Sequence, residues 1–311
     1  MCNFFKKLCN FFKPKEKDIF PTEPIKEIPE IEETPEVCDN PEDNNQDLDK
    51  PDDGGKYKIF SGDEKKLYYP KAIRSELELR TRGFYTKKYP LGAVIHFTAG
   101  RSRNNKEGNK RNANTHLEMG ERSITAEASK GSYAYLIIDR SGNVHQNFPL
   151  NRWGYHAGKS AWKGLTDAVS DDLVGIEVQC AGRLSDYYLK KYKCPEGQLA
   201  AWYTSPNSGD KFFDKIKECR YSEDKDNIQK GWYHSFSPEQ EKALLEVLLW
   251  MKYNNPEIFE FKHVLGHDEV SGIKGIGYNR KEDPGASLSI TMTEFRKKLE
   301  EEYLCLKQGS F

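Results

Sequence analysis

Ala93-Val-Ile-His-Phe97, entered through Pro90-Leu-Gly92 and left through Thr98-Ala-Gly100, is a short apolar run with a histidine near its end. Branched and aromatic residues bounded by Pro and Gly predict a strand. Leu173-Val-Gly-Ile-Glu-Val178 is a second such run and predicts a central strand. Tyr135-Leu-Ile-Ile138 predicts a third, turned by Asp139-Arg-Ser-Gly142 into Asn143-Val-His-Gln-Asn-Phe148. Farther on, Ser237-Pro238 with Gln240 supplies a helix N-cap, a proline at the first helical position and a capping-box partner. Ala243, Leu244, Val247, Leu248 and Met251 then share one helical face. Thr293-Glu-Phe-Arg opens a last helix with Phe295, Leu299 and Tyr303 inward. Strands interspersed with helices define the α/β class, with a single mixed central β-sheet flanked by helices.

The rest of the chain differs in composition. Of 311 residues, 31% are charged and 36% hydrophobic, enough apolar material for one real core with part of the chain left in water. The formal net charge of -1 conceals an asymmetry. Residues 1–15 carry four lysines and no acid, whereas Glu16 to Asp53 holds fifteen acids against Lys17, Lys26 and Lys50. These segments contribute +4 and -12, so the remainder carries -1 - 4 + 12 = +7. A basic body suits an anionic polymer.

Residues 1–13 repeat themselves, with Cys2-Asn-Phe-Phe-Lys-Lys7 followed by Cys9-Asn-Phe-Phe-Lys13. This reads as a basic amphipathic segment suited to an anionic membrane surface or to a protein partner. Residues 14–55 read as an acidic, proline-rich, disordered linker, with seven of the fifteen prolines between Pro14 and Pro51. Residues 56–311 read as one catalytic domain with an insertion near 183–232. The N-terminus lacks the order of a secretory signal, and no run approaches the length of a membrane span. A chain made in the cytoplasm is the expectation. Its seven cysteines lack CxxC spacing and are expected as free thiols, although Cys194 and Cys219 are the pair to consider under oxidising conditions.

The chemistry is carried by histidines. His96 ends the first strand, and His267 in Val264-Leu-Gly-His-Asp-Glu269 again follows an apolar stretch. Asp283 lies sixteen residues later, in Arg280-Lys-Glu-Asp-Pro-Gly285. Two neutral imidazoles and a carboxylate suit zinc and leave a fourth position open. Sequence distance alone does not make them converge.

Five pieces occur together in order: Ile95-His-Phe-Thr-Ala-Gly100, Tyr155-His-Ala-Gly158, Gly175-Ile-Glu177, Gly266-His267 and Lys281-Glu-Asp-Pro-Gly285. In this set the chain resembles, from about Tyr89 to Leu299, the zinc-dependent N-acetylmuramoyl-L-alanine amidases. That family includes phage lysozyme-amidases, peptidoglycan-recognition proteins and the amidase that recycles anhydro-muropeptides. The resemblance implies that family's sheet-and-helix fold, Zn2+ as cofactor, and His96, His267 and Asp283 as its ligands. The phage and recognition branches usually place Cys at the third position, the recycling amidase Asp, and this chain has the Asp form. Glu177 matches the general base of the recycling amidase and Tyr133 a tyrosine of the phage enzymes, with Glu177 preferred as base and Tyr133 as support. Ala134 departs from the histidine that many relatives have there. Lys281 matches a basic residue positioned to stabilise an oxyanion. Trp153, Tyr155, His156 and Ala157 are implied to line the substrate groove, although Trp153 and Tyr155 fit a core equally well.

The function expected is hydrolysis of the amide between N-acetylmuramic acid and L-alanine in peptidoglycan, as a phage-like lytic enzyme reaching the wall after release. The alternatives are a cytoplasmic recycling amidase, favoured by Asp283 and Glu177, and a non-catalytic peptidoglycan binder. The polymer partner expected is peptidoglycan and not nucleic acid.

Overall fold

A computed structural model describes residues 64–74, 79–100, 133–165, 169–184, 195–202, 204, 212–272 and 281–308. The basic segment 1–13, the linker 14–55 and Cys194 lie outside the described residues. The strands, in chain order, are β1 (Gly83–Phe84), β2 (Gly92–Phe97), β3 (Tyr135–Ile138), β4 (Val144–His145), β5 (Arg152–Trp153) and β6 (Leu173–Val178). They continue with β7 (Arg183–Leu184), β8 (Gln198–Leu199), β9 (Phe213–Asp214), β10 (Cys219–Ser222), β11 (Gly231–His234) and β12 (Val264–Gly266).

The central sheet has five strands in the order β12-β2-β6-β3-β4. β12, β2, β6 and β3 run parallel, and β4 returns antiparallel to β3. This is the mixed α/β architecture expected, with Leu173–Val178 in the middle position. Parallel neighbours need long crossovers, so partners come from opposite ends of the domain, as where Ala93 lies opposite Val264. Both faces of such a sheet are covered, which explains why β2 and β6 read as continuous apolar runs and not as alternating ones. On one face Val94, Leu173 and Leu265 pack with Ala157, Val169 and Val270. The helix Pro238–Asn254 packs against β3 and against the C-terminal helix Met292–Gln308, which also meets β12.

Local signals set the helix ends. The Ser237 hydroxyl accepts from Gln240 N, and the Gln240 side chain accepts from Ser237 N, closing the expected capping box. Ala243, Leu244, Val247, Leu248 and Met251 are all buried. The last helix starts earlier than Thr293, at Met292, because Thr291 caps it. Glu294 N donates to the Thr291 hydroxyl, and Thr291 N donates to the Glu294 carboxylate. The hairpin is also shorter than expected. β4 stops at His145 because Gln146 N turns to Ile73 O, and its side chain bridges Tyr69 N, Leu67 O and Phe148 O.

The described residues from Ala181 to His234 carry a second small core. β7, β10 and β11 form a three-stranded sheet, and β8 pairs with β9. Ala181, Leu184, Leu199, Ala201, Phe213 and Cys219 cluster beneath them against Trp232. Among the described residues no helix is long and apolar enough to cross a membrane.

Candidate metal centre

The parallel register brings two of the predicted ligands together. Leu265 pairs with Val94 and Gly266 with Ile95, so the next step sets His267 beside His96. On the other side of β2, Glu177 of β6 pairs with His96 itself. These three residues therefore form a row near the carboxyl ends of parallel strands, where α/β sheets present their functional groups. His267 opens a short helix, His267–Ser271, and the 281–283 segment runs beside it. Lys281 N donates to Ser271 O, and Asp268 N donates to Asp283 O at 2.7 Å.

The donor atoms of His96, His267 and Asp283 close on one point. His96 Nδ1 lies 2.8 Å from His267 Nδ1, and Asp283 Oδ2 is 3.0 Å from each. All three side chains are buried, and they form one cluster able to hold a metal ion. Burial, then the neighbouring His267, lowers the His96 pKa to about 4, so the ring is neutral at neutral pH.

The outer ring nitrogens settle the tautomers. His267 Nε2 is 3.0 Å from Ala157 O, and a carbonyl only accepts, so Nε2 carries the proton. His156 Nε2 likewise donates to Leu173 O at 2.8 Å. Burial, then His96, holds the His156 pKa well below the ordinary histidine value, so its Nδ1 is a lone pair and accepts from His96 Nε2 at 3.1 Å. With both ligand rings in the neutral form that metal binding requires, two Nδ1 lone pairs and a carboxylate oxygen point at one another. Such a set repels itself unless a cation sits among the donors, and N,N,O donors suit zinc. The residues fit the ion that the resemblance implies.

The Asp283 loop is braced by residues of β7, β10 and β11. Arg183 of β7 pairs with Glu282 at 3.4 Å, and Arg220 of β10 donates to Ser287 O at 2.6 Å. Gly285 has φ +48°, and a Cβ there would stand 2.5 Å from the Tyr233 ring of β11. Glycine is thus required by backbone and by packing together.

The remaining predicted residues are placed as follows. Glu177 is half-buried next to His96, and Lys281 is half-buried close enough to contribute to the lowering at His96. Tyr133 and Tyr155 pair in an isolated bridge, with rings 6.4 Å apart, and both are partly exposed. Trp153 packs edge-on to Tyr155 at 5.6 Å, with Arg82 over the Tyr155 ring. Tyr133, Trp153 and Tyr155 thus form one aromatic rim. Of the other two residues expected to line the groove, Ala157 is buried, and His156 is half-buried with both ring nitrogens engaged by the protein. Sequence reading missed Ser170, whose hydroxyl accepts from His156 N and Ala157 N at 3.3 and 3.1 Å. A single serine in the short 3-10 turn Val169–Asp171 carries no sequence signal of such a role.

Two imidazoles and a carboxylate converging at the carboxyl edge of a mixed sheet define a protein with a candidate mononuclear metal site. The chain belongs to the N-acetylmuramoyl-L-alanine amidase family, whose sequence profile matches residues 86–286. The match begins close to the Tyr89 expected and ends at Ala286, ahead of the last helix. Among solved structures the chain is similar to a selenomethionine derivative of AmpD, at 16% identity over 74% of this chain and 95% of that one, TM-score 0.41. It is also similar to the endolysin amidase LysCS of Clostridium intestinale, at 14% identity over 75% and 98%, TM-score 0.35. A third is the peptidoglycan-recognition protein PGRP-SA of Apis mellifera, at 14% identity over 70% and 91%, TM-score 0.38. These likenesses are distant, and family membership rests on the profile match. No curated protein matches the chain.

Proposed function

We propose that the chain is a zinc-dependent hydrolase of the amide joining N-acetylmuramic acid to L-alanine, acting on wall peptidoglycan as a lytic enzyme. The observation that carries this reading is the closure of His96 Nδ1, His267 Nδ1 and Asp283 Oδ2 to within 3.0 Å, in a chain of the amidase family. Zinc held there supplies Lewis acidity to the scissile carbonyl and acidifies the attacking water. Glu177, beside His96, takes the water's proton and delivers it to the leaving alanine nitrogen. Lys281 offers its ammonium to the oxyanion of the tetrahedral intermediate, and Tyr133 on the rim orients the substrate carbonyl. The aromatic rim of Tyr133, Trp153 and Tyr155 supplies apolar faces for sugar or peptide.

A second reading, recycling of soluble anhydro-muropeptides, is favoured by the Asp form of the third ligand and by Glu177. One experiment separates the two. Purified sacculi and soluble anhydro-muropeptides are digested in parallel, with and without chelator, and products are identified by mass spectrometry. Free stem peptides with N-terminal L-alanine from sacculi support the lytic reading, and cleavage of the soluble substrate alone supports recycling. New reducing sugar ends without free alanine amines would mean a glycosidase and end both.

A further inference from the structure

We propose that His156 is a positioning residue that locks His96 with Nδ1 turned inward, and that Gly175 is glycine to seat the His156 ring. The inference rests on the metal reading above, and it assigns the histidine of Tyr155-His-Ala-Gly158 to the metal ligand and not to substrate.

The geometry forms a directed chain. Leu173 O can only accept, so His156 donates from Nε2 at 2.8 Å. A neutral imidazole that donates from Nε2 accepts at Nδ1. His96 Nε2, 3.1 Å away, is therefore the donor, and the His96 lone pair is left at Nδ1 facing His267 and Asp283. The rings of His96 and His156 meet edge to face at 5.3 Å, so the hydrogen bond also fixes the angle of the ligand ring. Outer partners of this kind set both tautomer and orientation of a metal-binding histidine.

The seat of the ring is built as carefully as its bonds. Gly175 lies on β6, two residues before Glu177 and so on the same sheet face. A Cβ at Gly175 would stand 2.6 Å from His156 Cγ and 2.9 Å from its Cβ. Any side chain there displaces the imidazole. The backbone of His156 and Ala157 is held by the Ser170 hydroxyl, and Ala157 O orients His267 in the same way that His156 orients His96. One dipeptide thus sets both imidazole ligands, one through a side chain and the other through a carbonyl. With both nitrogens occupied, His156 has no polar atom left for a glycan hydroxyl.

The test uses the full chain and three variants, His156→Ala, His156→Asn and Gly175→Ala. The asparagine Oδ1 restores an acceptor near the place of Nδ1. Imidazole tautomers are read from long-range proton–nitrogen spectra of metal-free protein, and zinc affinity from competition with a chelator. Expected are a His96 protonated at Nε2 in the parent and a mixture of tautomers in His156→Ala. Zinc binding should weaken about 10- to 100-fold in His156→Ala and Gly175→Ala, and His156→Asn should recover most of it. Turnover should fall with KM unchanged. A parent His96 protonated at Nδ1, or a folded His156→Ala with parental tautomer and zinc affinity, overturns the proposal. So does a raised KM at parental zinc affinity, which returns His156 to the substrate groove. Parent protein that takes up no zinc ends the metal reading instead, and the tautomer spectra then decide the positioning role by themselves.

Discussion

His96 and Glu177 are direct register partners on the parallel strands β2 and β6, so their side chains leave the same face of the sheet side by side. A carboxylate so placed is near the metal ligands without belonging to the convergent donor set. Glu177→Ala should therefore keep zinc while turnover falls about 10²- to 10⁴-fold, the range for a lost general base. Metal analysis and initial rates on one preparation check this. Near-normal turnover in Glu177→Ala with loss in Tyr133→Phe would exchange the two roles.

The metal assignment makes its own prediction. Purified protein should hold about one zinc per chain, as expected of a three-residue catalytic site. His267→Ala and Asp283→Ala should lose it, and chelation should lower the melting temperature because the ion binds only the folded site. Full zinc occupancy in His267→Ala would sink the ligand set.

How much of this was legible beforehand depends on the length of the signal. The strands at Ala93–Phe97 and Leu173–Val178 and the Ser237 cap were readable because runs and caps are local. Three candidate ligands were readable because each stood in a motif. Their convergence was not, since it depends on β12 joining β2 across most of the domain. The contacts of His156 are illegible for a related reason: a motif names a residue, but only the structure shows that the ring's neighbours are Leu173 O and His96. The bracing of Asp283 by Arg183, Arg220 and Tyr233 was invisible, because those contacts come from a segment with no motif of its own.

That bracing can be tested at Gly285. Alanine there meets a left-handed backbone and the Tyr233 ring at once. The backbone conflict alone costs about 1–2 kcal/mol. Gly285→Ala should lose at least that much in denaturant titrations and bind zinc more weakly, since Asp283 is two residues away. Parental stability and zinc affinity would show that the loop yields without effect on the ligand.

Thiol reactivity should divide the described cysteines. Cys180 is fully buried, burial raises its pKa, and its sulfur lies 2.9 Å from His234 O. Cys219 is buried in the cluster with Leu184, Leu199 and Phe213, whereas Cys305 is exposed on the last helix. Brief alkylation of native protein followed by peptide mapping should modify Cys305 well before Cys180 or Cys219. Early labelling of Cys180 would mean that the sheet edge beside the site opens readily.

The last helix is tied to the ligand strand by one ion pair that should dominate the stability of that corner. Arg296 makes a two-pronged contact with Glu269, at 2.7 and 2.9 Å, and also donates to Val264 O at 3.0 Å. The same carboxylate accepts from Gly266 N at 2.8 Å, just ahead of His267. The pair is mostly shielded, with side-chain exposures of 19% and 6%. Removing one partner of a buried pair leaves the other charge without compensation, at a cost of about 3–5 kcal/mol. Arg296→Met should thus be strongly destabilising in denaturant titrations. The double variant Arg296→Met with Glu269→Gln should be less damaged than Arg296→Met alone, because no charge is left stranded, and the difference measures the coupling. A loss below about 1 kcal/mol in Arg296→Met would place the pair with ordinary surface ion pairs, and the last helix would then be held chiefly by its buried face of Met292, Phe295, Leu299, Tyr303 and Leu306.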